Sequence, residues 1–130
     1  MAINTAYTVN VATQGIDAPQ RAAGRITYPA TSIVAADFTV VEVGFTPRYV
    51  QWCDVTSRIQ IEWFEGMAAD TCIKIAANGT RTIETTNQGI TICDSDGTAN
   101  ATTGRYFKVS QNATLAAIIA SEIINWRAQS

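Results

Sequence analysis

The chain contains no histidine. That single absence removes Ser-His-Asp and Cys-His catalysis, histidine-ligated zinc and any imidazole pH switch. Charged residues are also scarce, at 15% of the sequence against roughly one quarter in an ordinary soluble domain. So sparse a charge argues against a disordered tail and against a long coiled coil. Nine Lys+Arg against eleven Asp+Glu leave a net charge of −2, which gives no positive field to hold nucleic-acid phosphates. No window approaches the roughly 18 to 20 apolar residues of a membrane helix. The start Met1-Ala2-Ile3-Asn4-Thr5 has no basic segment followed by an apolar stretch, so no signal peptide is expected. CxxC pairs are missing too. Cys53, Cys72 and Cys93 stand far apart in apolar runs, as free buried thiols do in a reducing compartment such as a cytosol. The sequons at Asn78, Asn100 and Asn112 are then chance matches in a Thr-rich chain.

What the chain does have is length and apolar content: 130 residues, 47% of them hydrophobic. That is enough for one domain burying about two thirds of its unfolded surface. Residues 1–32 are poor in large apolar side chains and read as an extended N-terminal arm and loop, with a short strand near 7–11. Residues 33–130 read as the folded domain. Its β-branched and alternating runs predict strands at 38–45, 49–55, 58–63, 71–75, 80–85, 90–93 and 106–109. Asn78-Gly79 predicts a two-residue type I′ hairpin turn with positive φ at both positions. Leu115, Ile118 and Ile119 have helical spacing and predict at most one short helix, followed by a last strand over 122–127. Short strands at regular intervals between turn signals predict an all-β, single-domain β-sandwich.

The candidates for chemistry are few. Asp94-Ser95-Asp96-Gly97 with Asn100 superficially suggests a calcium loop, but its spacing does not fit an EF-hand and a turn is expected. Glu62 and Glu65 flank Trp63-Phe64 like a glycosidase pair, yet i and i+3 on a strand face opposite ways. Cys53, Cys72 and Cys93 would leave zinc one ligand short without histidine, so core packing is expected. Trp52, Trp63 and Trp126 with Tyr106 and Phe107 would make a stacking platform if exposed, but strand aromatics are usually core residues. No phosphate-cradling glycine loop occurs. No catalytic residue, metal ligand or cofactor is therefore expected. A chain of this kind acts through its surface, and weakly charged, Thr-rich strands suit close assembly, where each buried charge costs desolvation.

The stretch Gly44-Phe45-Thr46-Pro47-Arg48-Tyr49-Val50, then Val55-Thr56 and Ile61-Glu62-Trp63-Phe64-Glu65-Gly66-Met67, resembles small virion proteins of tailed bacteriophages. The likeness continues through Gly79-Thr80-Arg81-Thr82-Ile83 and Gly89-Ile90-Thr91-Ile92 to Ile124-Asn125-Trp126-Arg127-Ala128. Within that group it is most similar to capsid cement or decoration proteins. The resemblance implies a jelly-roll-like sandwich on the outside of the head, without enzymatic activity. It also implies two partners, the major capsid protein and the chain itself as a dimer or trimer, with no role for nucleic acid or membrane. The expected location is the virion head surface after synthesis in the host cytoplasm. Candidate contacts are Ile3, Tyr7, Val9 and Val11 on the arm, by strand addition to an exposed edge. The alternative expectation is a tail-associated or adhesin-like module that binds a host glycan through exposed aromatic rings.

Overall fold

Period-two alternation puts one set of side chains on each face of a strand, and in this chain one face is apolar. The computed structural model describes residues 20–28, 37–85, 89–111 and 121–130. They form nine strands: β1 (Arg21–Thr27), β2 (Phe38–Glu42), β3 (Tyr49–Asp54), β4 (Ile59–Phe64), β5 (Thr71–Ile75), β6 (Arg81–Thr85), β7 (Ile90–Cys93), β8 (Tyr106–Ser110) and β9 (Ile123–Gln129). The protein is all-β, and no helix occurs among the described residues. Within them there is accordingly no helix long and apolar enough to cross a membrane. The expected short helix around Leu115, Ile118 and Ile119 lies outside the described residues.

All pairings are antiparallel and belong to one sheet, in the order β1-β9-β3-β4-β5-β7-β8-β2, with β6 paired to β5 off that path. A jelly roll divides its strands between two sheets; here a single sheet curls over its own apolar face. The rings show the curl. Phe107 on β8 meets Trp52 on β3 edge-on, with centroids 6.1 Å apart and planes at 87°. Those strands are four steps apart in the sheet order, which in a flat sheet is about 19 Å. Near the sheet's two ends, the Tyr28 hydroxyl just after β1 lies 2.6 Å from Oγ1 of Thr39 on β2.

The enclosed core consists of Val50 and Trp52 from β3, Ile61 and Trp63 from β4, and Tyr28, Phe45, Cys72, Ile90, Ile92, Phe107, Val109, Ile124 and Ala128. Two of these, Trp52 and Phe107, are the largest side chains removed completely from solvent. Each contributes about 4 to 6 kcal/mol of gross hydrophobic stabilisation, from roughly 150 to 250 Å² at 25 cal/mol per Å².

The sheet begins earlier than the apolar pattern suggests. Arg21–Thr27, within the stretch read as arm and loop, pairs residue for residue with β9, from Arg21 opposite Gln129 to Thr27 opposite Ile123. Its inward positions are Ala22, Gly24 and Ile26, and the indole of Trp126 lies against the middle one, Gly24. A Cβ at Gly24 would stand 2.9 Å from three atoms of that indole.

The Asn78-Gly79 turn also differs from expectation. Gly79 has φ of 89°, while Asn78 is not in the left-handed region. Ala76 O accepts the Gly79 N–H at 2.8 Å, and Thr80 O accepts the Ala76 N–H at 2.9 Å. This is a three-residue loop, a type I turn closed by a left-handed glycine, in place of the two-residue type I′ form. Residues 94–98 repeat it: Asp94 O accepts from Gly97, Thr98 O accepts from Asp94, and Gly97 has φ of 84°. The apparent calcium loop is thus a hairpin turn, and it folds back over Cys93 through the Cys93–Ala99 bridge.

Candidate functional site

The residues singled out for chemistry separate into structural roles. Glu62 on β4 accepts a hydrogen bond from the Gln60 amide, whereas Glu65 in the following turn pairs with exposed Arg48 at 3.3 Å. Asn100 donates to both oxygens of Asp94 and to Thr103 Oγ1, and the Thr98 N–H holds the Asp96 carboxyl below its ordinary value. The cysteines are free thiols on separate strands, and no cluster of metal-ligating side chains occurs among the described residues. Burial pushes the Cys72 thiol up to about 12, and it raises Cys53 and Cys93 as well.

The aromatic residues are divided between core and surface. Trp52, Trp63 and Phe107 are buried, Trp126 is half-buried over β1, and Trp63 Nε1 donates to Ala68 O at 3.3 Å. The ring pair nearest the surface is Tyr49 with Phe64, 5.0 Å apart and tilted at 52° on the outward face of β3 and β4. An open cleft of about 520 Å³ lies between the Gln20–Ser130 end and the loops at Phe45 and Ala101. Its two guanidinium groups are already engaged, Arg105 with Gly44 O at 2.7 Å and Arg48 with Glu65.

Three strands have one long edge that no described strand pairs: β1, β2 and β6. In an antiparallel ladder alternate residues bond to the neighbour and those between point their N–H and C=O the other way. On β2, the Gln111 N–H bonds to Asp37 O at 2.8 Å and the Val43 N–H to Arg105 O at 3.0 Å. The odd-numbered residues therefore serve β8, and Phe38, Val40 and Glu42 turn their backbone groups to the open edge. The same three side chains are exposed, Phe38 at 44% and Val40 at 38%. Lys108, opposite Val40 on β8, holds the Phe38 ring on this face, its ammonium 4.2 Å from the ring centre and 2.7 Å from Gly97 O.

The other edges differ in character. On β1 the even residues bond to β9, so Arg21, Ala23, Arg25 and Thr27 face outward. On β6 the outward set is Arg81, Ile83 and Thr85, with Ile83 71% exposed. Charged side chains on an edge are a common defence against unwanted pairing. β1 carries two arginines and β6 one, while β2 presents Phe38 and Val40 with a single acid, Glu42. Ile3, Tyr7, Val9 and Val11, the contacts expected from sequence, lie outside the described residues.

Sequence reasoning passed over one more feature, a pair of buried acids. Asp54 closes β3 and Glu122 lies just before β9, and both are buried. The signal was an acid directly ending one apolar strand and another directly opening a second, 68 residues apart with no basic residue beside either. Comparison of the chain with protein-family models, with curated proteins and with solved structures finds no match in any of the three.

Proposed function

We propose that this chain is a non-enzymatic virion structural protein that binds the outer surface of an assembled phage capsid and stabilises the shell, as cement proteins do. Its partners are the major capsid protein and further copies of itself. The observation that carries the reading is the β2 edge, where exposed apolar side chains and backbone groups without a partner among the described residues belong to the same residues, Phe38 and Val40. An extended segment of a capsid subunit added there gains main-chain hydrogen bonds and an apolar contact together. Binding only to the assembled lattice stabilises it by RT ln(1 + [L]/Kd) at each site, so many weak copies suffice.

The glycan alternative needs exposed Trp or Tyr rings; Trp52 and Trp63 are core residues, and Trp126, Tyr49 and Tyr106 are half-buried. The test is decoration of heads purified without this protein. Added wild-type chain binds and raises the temperature at which heads release their genome, and Val40→Lys does neither. Equal occupancy by both chains removes the β2 contact from the reading, and wild-type protein found on tails or free of particles ends the reading itself.

A further inference from the structure

The carboxyl groups of Asp54 and Glu122 face one another inside the fold with no described donor between them. Each has one oxygen satisfied. Asp54 Oδ1 accepts the backbone N–H groups of Thr56 and Ser57, both at 2.9 Å, and Glu122 Oε1 accepts the Ser57 hydroxyl. The remaining oxygens, Asp54 Oδ2 and Glu122 Oε2, are shut off from solvent, and no donor among the described residues reaches either. Asp54 is completely buried and Glu122 is only 5% exposed. Two ionised carboxylates so placed would repel and leave two acceptors unmet. One proton removes both costs, because the protonated oxygen donates to the other carboxylate.

We propose that Asp54 and Glu122 share a proton, and that this carboxyl–carboxylate hydrogen bond is a pH-released latch closing one end of the sheet. A hard cation is the poorer occupant: it takes six or more oxygen ligands, and no group of three ligating side chains lies among the described residues. The latch stands where three chain segments converge. The Val55 N–H bonds to Ile123 O at 3.0 Å, the Ile123 N–H to Thr56 Oγ1 at 3.0 Å, and the Tyr28 N–H to Glu122 O at 2.9 Å. It thus joins the β3–β4 turn, the start of β9 and the end of β1.

The surrounding charges leave the pair to itself. Glu122 is the charged group that acts on Asp54. Cys53 precedes Asp54 on β3 and points to the other face, opposite Gln60 and Asn125. Arg58 in the β3–β4 turn is exposed, and the Tyr28 hydroxyl after β1 is engaged with Thr39. Opposite Asp54 on β4 and β9 stand the apolar Ile59 and Ile124. Burial first, and then Glu122, raise the Asp54 carboxyl above its ordinary value of 3.8.

The folded protein therefore holds a proton that the unfolded chain releases. Stability from the latch is complete below the unfolded value, declines as pH rises toward the folded one, and is flat above it.

The experiment is thermal unfolding of the whole chain from pH 4 to pH 9, with amide hydrogen exchange at Val55 and Ile123. Wild-type protein loses melting temperature as pH rises, by about 5 °C across the window. Opening at the two amides increases about tenfold per pH unit within it, beyond the intrinsic base catalysis of exchange. Asp54→Asn supplies a permanent donor while keeping an oxygen for Thr56 and Ser57, so it flattens both profiles at the acid-side level. Should that variant fail to fold, Glu122→Gln makes the same test from the other partner. A protonated-carboxyl infrared band at pH 6 that disappears in either variant identifies the shared proton directly. A wild-type profile without slope, a variant that retains the slope, or absence of the band overturns the proposal. None of these outcomes depends on capsid binding.

Discussion

Phe107 and Trp126 meet with ring centres 5.4 Å apart and planes inclined at 68°, although their strands β8 and β9 are not neighbours in the sheet. Trp52, the cross-strand partner of Trp126, meets the same ring, so Phe107 ties β8 to the adjacent strands β3 and β9 across the curl. Phe107→Ala is expected to cost about 3 to 5 kcal/mol, at the upper end for a single core truncation. Urea unfolding followed by tryptophan fluorescence measures it; a loss below 1 kcal/mol would show that the curl does not depend on this ring.

Two glycines with crowded surroundings respond differently to one added methyl group. At Gly24 the new Cβ meets the indole of Trp126, a side chain with some freedom to move. At Gly89 it would stand 2.3 Å from the backbone nitrogen of Thr71, which is held in the β5 ladder. Gly24→Ala is expected to lose about 1 to 3 kcal/mol, and Gly89→Ala to lose more or to abolish folding. A reversed order in paired denaturation curves would contradict this account.

On the proposed reading, the edge residues serve contact with partners and contribute little to the monomer. Val40→Lys and Ile83→Ser are each expected within about 0.5 kcal/mol of wild type. Calorimetry on the isolated chain checks this, and a large loss at Val40 would mean that the strand is covered within the monomer.

The thiols should react in order of exposure. Cys53 is half-buried, whereas Cys72 and Cys93 are fully enclosed and the Cys72 thiol is pushed up to about 12. At pH 8 a maleimide is expected to label Cys53 slowly, and Cys72 and Cys93 only after unfolding. Mass spectrometry of the labelled native chain decides it; early modification at Cys72 would contradict the packing around β5.

Neutralising Glu62 and Glu65 together tests whether either carboxylate is needed for stability or binding. The Arg48–Glu65 pair is more than half exposed on both sides, and such pairs contribute at most about 1 kcal/mol. Glu62→Gln with Glu65→Gln is expected to leave both melting temperature and particle binding near wild type. Abolished binding would move the functional surface to this face.

The strands were legible where the physics is local. Thr71–Ile75 and Ile90–Cys93 fall where the apolar alternation and run place them, and the expected strand at 122–127 appears as Ile123–Gln129. β1 was missed because its inward face is Ala22, Gly24 and Ile26. That pattern carries meaning only once Trp126, about a hundred residues away, supplies the bulk. The turn at Asn78 was placed correctly but given the wrong geometry, since its loop length depends on Ala76 pairing with Thr80. Of the candidate site, the exposed acids and the cysteines were visible as residue types. The Asp54–Glu122 encounter was not, because no periodicity links the end of one strand to the beginning of another.

Gly44, at φ of 80°, turns the chain away two residues past Glu42. The open side of β2 is therefore a short ruler, about 17 Å long, with room to register about five residues of a visitor, bonded through Phe38, Val40 and Glu42. A docked strand of that length turns half of its own backbone groups outward again, so the edge stays open to further pairing, with Glu42 the one charge on its outward positions to oppose it.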